Sequence, residues 1–137
     1  MSISIEGIDE ILESLSKVKD TEKVKQALNK SCLLIEASAK QKAVKGKTGE
    51  LARSITSKVE GLTGEVYTPL EYAPYVEYGT GLFAESGGRA DVPWSYQDDE
   101  GKWHSTSGMH PKPFMRPALN DNRKRVTEIL KEVIELK

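Results

Sequence analysis

The period with which apolar residues recur changes twice along this chain, and those changes constrain its fold more than any other feature. Ile5, Ile8, Ile11, Leu12, Leu15 and Val18 fall three and four residues apart, one face of a helix. A second helix is predicted from about Thr21 to Val44, with Asp20 as N-cap and Glu22 in its first turn. Val24, Ala27, Leu28, Ser31, Cys32, Leu34, Ile35, Ala39 and Ala43 form its apolar face, and Gly46 is expected to stop it. At 1.5 Å per residue it runs roughly 35 Å. That exceeds the radius of about 14 Å expected for one compact domain of 137 residues. From Ser54 the period becomes two. Ser54–Val59 reads as a strand, paired with Gly64–Thr68 across a Gly61-Leu62-Thr63-Gly64 turn. After Pro117, which suits a first helical turn, Leu119, Val126, Ile129, Leu130, Val133 and Ile134 restore the helical stripe. The pattern predicts an α+β fold: N-terminal amphipathic helices and a long C-terminal helix packed on a small antiparallel sheet.

The segment between the strands and the last helix has a different chemistry. Every aromatic residue, every proline and both histidines lie between Tyr67 and Pro117. Residues 61–115 carry 3 basic and 8 acidic groups, whereas 1–60 carry 11 and 9 and 116–137 carry 6 and 4. The formal net charge of -1 is therefore a sum of unlike regions. Within the segment, Trp94–Thr106 is expected to form a hairpin around Asp98-Asp99-Glu100-Gly101. Residues 82–93 are the expected mobile loop of a Gly-rich insertion at about 82–112. The whole of 1–137 is read as one domain carrying that flexible insertion.

Several function classes fall away. One Cys forms no internal disulfide, and no apolar run approaches the ~18 residues of a membrane span. Met1–Glu6 lacks the basic and apolar regions of a signal peptide, so synthesis in a reducing cytosol is expected. Lys45-Gly46-Lys47-Thr48 fails as a phosphate loop, because Gln41 stands where the first glycine is needed. It reads instead as a helix stop followed by a Thr48 cap. His104 and His110 lack partners for a zinc site, and Asp98-Asp99-Glu100 lacks the spacing of a calcium loop. Cys32, on an apolar helix face, reads as a buried inert thiol. No catalytic, cofactor or metal residues are expected. The basic stretch Lys40, Lys42, Lys45, Lys47, Arg53 and Lys58 supports an alternative function, a small nucleic-acid-binding module using residues 40–58. A hydrolase built on His104 or His110 is a further rival, without a visible nucleophile.

The remaining signals are two aromatic segments, Tyr72-Ala73-Pro74-Tyr75-Val76-Glu77-Tyr78-Gly79-Thr80-Gly81 and His110-Pro111-Lys112-Pro113-Phe114-Met115-Arg116-Pro117. Tyr72, Tyr75, Glu77, Tyr78, Gly79, Phe114, Met115 and Arg116 are the candidate residues for a subunit interface or for bracing the fold.

Four segments, Gly7–Leu15, Thr48–Ile55, Tyr72–Gly81 and Pro113–Leu119, resemble the tail-completion or head–tail joining (neck) component family of long-tailed bacteriophages and prophages. The resemblance spans nearly the whole chain except about 82–112. It implies a non-enzymatic virion structural protein, made in the host cytoplasm, that assembles as a homo-oligomeric ring, commonly a hexamer. Its implied partners are connector or portal-side proteins and the tail tube. Contact with DNA in the lumen would be weak and sequence-independent, and no membrane is involved.

Overall fold

The computed structural model describes residues 2–3, 21–44, 49–85 and 93–135. The predicted first helix at Ile5–Val18, the Asp20 N-cap, the Gly46 stop and the Thr48 cap lie outside the described residues, as do residues 86–92 of the predicted loop. The chain divides into two compact units: Met1–Leu70 with Phe114–Lys137, and Glu71–Pro113.

The first unit is α+β. Strand β1 (Ser2–Ile3) precedes helix α1 (Thr21–Lys42), the short helix α2 (Glu50–Ser54), strands β2 (Thr56–Glu60) and β3 (Thr63–Tyr67), and the long C-terminal helix, residues Met115–Glu135. The strands form one antiparallel sheet in the order β1-β3-β2. Helix α1 packs on β2 and β3, and also against the C-terminal helix. Its inner face is the predicted one. Val24, Ala27, Leu28, Ser31, Cys32, Ile35, Ala39 and Ala43 are all buried, and Leu34 sits half-buried at the margin. Glu22 in the first turn and Lys40 and Lys42 in the last oppose the helix dipole favourably. Met115, Ala118, Leu119, Val126, Ile129 and Leu130 bury the matching face of the C-terminal helix. Pro117 falls in its first turn, where no intrahelical N–H bond is lost.

Two boundaries differ from expectation. Ser54 belongs to α2, so β2 begins at Thr56. The hairpin turn is two residues, Gly61-Leu62, with Glu60 paired to Thr63. A shorter turn keeps Ser57 opposite Val66 and Val59 opposite Gly64, so these four share the face toward α1. Gly64 is needed there: a Cβ would lie 2.6 Å from Cys32 Sγ, so the bare backbone lets α1 lie flat on the sheet. On the opposite face Lys58 pairs with Glu65 at 3.6 Å and stands over the Tyr67 ring. The end of β3 is tied to α2 through hydroxyls. Ser54 Oγ donates to Leu51 O at 2.6 Å and accepts from buried Thr68 at 2.7 Å, while Thr68 Oγ1 accepts from the Leu70 amide.

The second unit holds helix α3 (Ala73–Tyr78), a 3-10 turn (Gly81–Phe83) and the hairpin β4 (Trp94–Gln97) with β5 (Trp103–Thr106). The C-terminal helix of the first unit is α4 in chain order.

Candidate functional site

In α3 the order of residues decides what faces out. Tyr72, Tyr75 and Tyr78 are three apart, just under one helical turn, so they share a face. All three are exposed, Tyr75 to 60 %. Ala73, Val76 and Glu77 take the other face and are buried. Pro74 sits at the helix start, where its missing N–H costs nothing. Glu77 is completely buried, and among the described residues no buried side-chain nitrogen or oxygen lacks a hydrogen-bond partner. A carboxyl group in that setting holds structure together, because breaking its bonds would strand a buried polar group.

After α3 the chain crosses residues 107–111 at close quarters. The amide of Thr80 donates to Met109 O at 2.9 Å, and the Met109 amide returns the bond to Thr80 O at 3.2 Å and to Thr80 Oγ1 at 2.9 Å. Leu82 N donates to Ser107 O, and Lys112 N to Val76 O at 2.8 Å. Glycines make this approach possible. Gly81 has φ +62 and Gly108 φ +123, and a Cβ on either would collide with the backbone of the other segment. Gly79, buried with φ +82, is equally confined: a Cβ there would lie 2.9 Å from Met109 O, Phe83 O and Pro111 Cδ. Phe83 stacks on His110 with ring centroids 3.9 Å apart.

The predicted hairpin exists, with Trp94 opposite Thr106 and Gln97 opposite Trp103. Asp98 organises its turn. One carboxylate oxygen accepts from the Glu100 and Lys102 amides at 2.9 and 2.8 Å, and the other meets His104 Nε2 at 2.7 Å. These bonds, that with His104 foremost, hold the Asp98 carboxyl below its usual range. Tyr96 stacks on His104, and Gln97 Nε2 donates to Gly101 O. Despite this order the hairpin buries little: Trp94 is half-buried, and Tyr96, His104 and Trp103 are exposed.

The eight candidate residues therefore fall into distinct settings. Tyr72, Tyr75 and Tyr78 are surface groups, while Glu77 and Gly79 are interior parts of the second unit. Phe114 and Met115 are wholly buried in the first unit and present nothing to a partner. Arg116 is half-buried beside them in sequence. The basic stretch is partly neutralised within the chain: Lys40 pairs with Glu36 at 3.7 Å, Lys42 with Asp121 at 3.1 Å, and Lys58 with Glu65. Cys32 is buried and free, and burial, then the nearby Glu36 charge, pushes its thiol up. Among the described residues no three His, Cys, Asp or Glu side chains gather where a metal could sit, and no helix is long and apolar enough to cross a membrane. The Asp98–His104 bond and exposed Leu82 are surface features that period and composition did not single out. An Asp six residues before a His across a turn was the available signal for the first.

Residues 7–79, more than half of the chain, match the HK97-gp10-like family, described as "Bacteriophage HK97-gp10, putative tail-component". The chain belongs to that family. The match ends at Gly79, where the glycine crossing begins; it takes in Gly7–Leu15 and Thr48–Ile55 whole and Tyr72–Gly81 as far as Gly79. The fourth, Pro113–Leu119, lies beyond it. No curated protein and no solved structure matches the chain. Membership makes this HK97-gp10-like chain a phage structural protein, a tail component of the virion that interacts with other phage structural proteins.

Proposed function

We propose that this tail component acts without enzymatic chemistry at the head–tail junction, in tail completion or head–tail joining, as a closed ring of identical subunits. The observation that carries the reading is where apolar surface is left open. Among the described residues, seven of the ten exposed large hydrophobic ones lie in Glu71–Pro113: Tyr72, Tyr75, Tyr78, Leu82, Phe83, Tyr96 and Trp103. Exposed aromatic clusters of this kind mark surfaces that another protein covers. A ring needs unlike patches meeting around its axis, and the acidic aromatic middle and the basic flanks are unlike. In this reading Tyr72, Tyr75 and Tyr78 make subunit contacts, while Glu77, Gly79, Phe114, Met115 and Arg116 brace the fold that presents them. The connector side of the portal and the tail tube supply the axial partners, and DNA passes through the lumen with weak contacts at most.

Native mass spectrometry over a wide concentration range tests the ring. The wild-type chain should show one closed oligomer, and Tyr75→Ser with Tyr78→Ser should return it to smaller species at unchanged thermal midpoint. An unchanged mass distribution in the double variant would overturn the assignment of these tyrosines.

A further inference from the structure

Outside the second unit, only three large hydrophobic residues among the described ones are exposed, Leu33, Val44 and Leu62. Two of them stand on α1 or just past its end. Gln26, Lys30, Leu33, Ala37, Gln41 and Val44 succeed one another three or four residues apart, so on a helix of period 3.6 they form one stripe along α1. All six are exposed, and Leu33 is 48 % open to solvent. This stripe is the face of α1 opposite the one packed on the sheet and α4. Lys23, three residues before Gln26, continues the stripe at its N-terminal end, and none of its positions is acidic.

The β4–β5 hairpin has the complementary character. Its strands are four residues long, and an isolated two-stranded hairpin of that size is marginal in water. Its Tyr96 and Trp103 are exposed, Trp103 to 70 %, and its turn carries Asp98, Asp99 and Glu100 against Lys102. The turn is nonetheless rigid, fixed by the three bonds to the Asp98 carboxylate. A rigid, acidic, aromatic arm is already in its bound shape and loses little entropy on docking.

We propose that the β4–β5 hairpin of one copy docks on the outer stripe of α1 of a second copy, with Trp103 covering Leu33 and Ala37 and the acidic turn facing Lys23 and Lys30. This deepens the ring reading and rests on it: hairpin and stripe are different surfaces, so each copy donates one and accepts one. The contact is heterologous and propagates from copy to copy. Charge attraction between the turn and the lysines sets the direction of docking and weakens with salt.

Two full-length variants test this by complementation. Leu33→Asp spoils the stripe and Trp103→Ser spoils the arm; both positions are exposed, so each variant should keep the wild-type thermal midpoint. Each alone should self-associate at least about tenfold more weakly than wild type, the scale of losing a central contact. Mixed in equal amounts they should form a one-to-one heterodimer and nothing larger, because one intact arm and one intact stripe remain. Sedimentation and native mass spectrometry read all three outcomes. If wild type assembles and both variants assemble equally well, the hairpin–stripe contact is wrong while the ring reading survives. If wild type stays monomeric at every concentration, both are wrong. Larger species in the mixture would also overturn the one-way contact.

Discussion

In the unit built from the two ends of the chain, Phe114, Ile55, Met115, Leu130 and Val66 are closed to solvent, and polar side chains cover the helix and sheet surfaces. Between Glu71 and Pro113, Ala73 and Val76 are the only buried apolar side chains among the described residues, while tyrosines, a tryptophan, Leu82 and Phe83 stand outside. The first unit therefore draws its stability from burial, at about 25 cal/mol per Å² of apolar surface removed from water. The second draws its shape from backbone bonds, glycine contacts and one carboxylate-centred turn. A segment held this way can keep its apolar groups available for another molecule. The contrast teaches that where hydrophobic residues concentrate and where they are buried are separate questions.

Four changes would break or sharpen this contrast. Phe114→Ala should be the most damaging, costing about 3–5 kcal/mol through lost burial and a cavity, and calorimetry should show a lower midpoint or no folded transition. Gly64→Ala should cost about 1–3 kcal/mol by forcing α1 off the sheet, and Cys32→Ala in the same chain should recover most of it. A double-mutant cycle in urea measures that coupling. Gly108→Ala should act only locally, by about 1–3 kcal/mol at the positive-φ crossing. Hydrogen exchange should then speed at the Thr80 and Met109 amides while amides of α1 keep their protection. The smallest effect belongs to Asp98. Its folded pKa is depressed, so its contribution is present above the ordinary carboxylate value and is lost as pH falls through the lowered one. The Tyr96 ring resonances should show a step in that acidic range, and Asp98→Asn should abolish it. Alkylation of Cys32 in the native state at pH 8 should be slow, because burial raises its thiol pKa and covers it.

The first unit was legible where one residue type implies one environment. The inner face of α1, from Val24 to Ala43, follows from spacing alone, as does that of α4, because core helices have little choice about which stripe they bury. The α+β class came with them. Boundaries were less legible: Ser54 and Thr68 form a hydroxyl pair across fourteen residues, and no local pattern shows that a Ser ends a helix instead of opening a strand. Tyrosine was the ambiguous residue in the candidate site. Tyr75 and Phe114 look equally suited to a core or an interface in the sequence, and only three-dimensional packing separates an exposed ring from one with no exposure. Glu77 is the opposite case, since a charged residue at a helical position ordinarily faces water and here does not. The Gly81–Gly108 crossing joins residues twenty-seven apart through backbone alone, and sequence pattern carries no signal for such a meeting.

That crossing has a consequence for how members of this family can diversify. Reciprocal bonds between Thr80 and Met109 hold the two ends of the intervening chain at a fixed separation, whatever lies between them. Lengthening a loop whose ends are pinned costs little, about 0.6 kcal/mol for each doubling. The stretch from Leu82 to Ser107 is thus a cassette. Its length and side chains can be exchanged in evolution, or by an engineer, while the clasp at its base and the buried frame beyond it stay as they are.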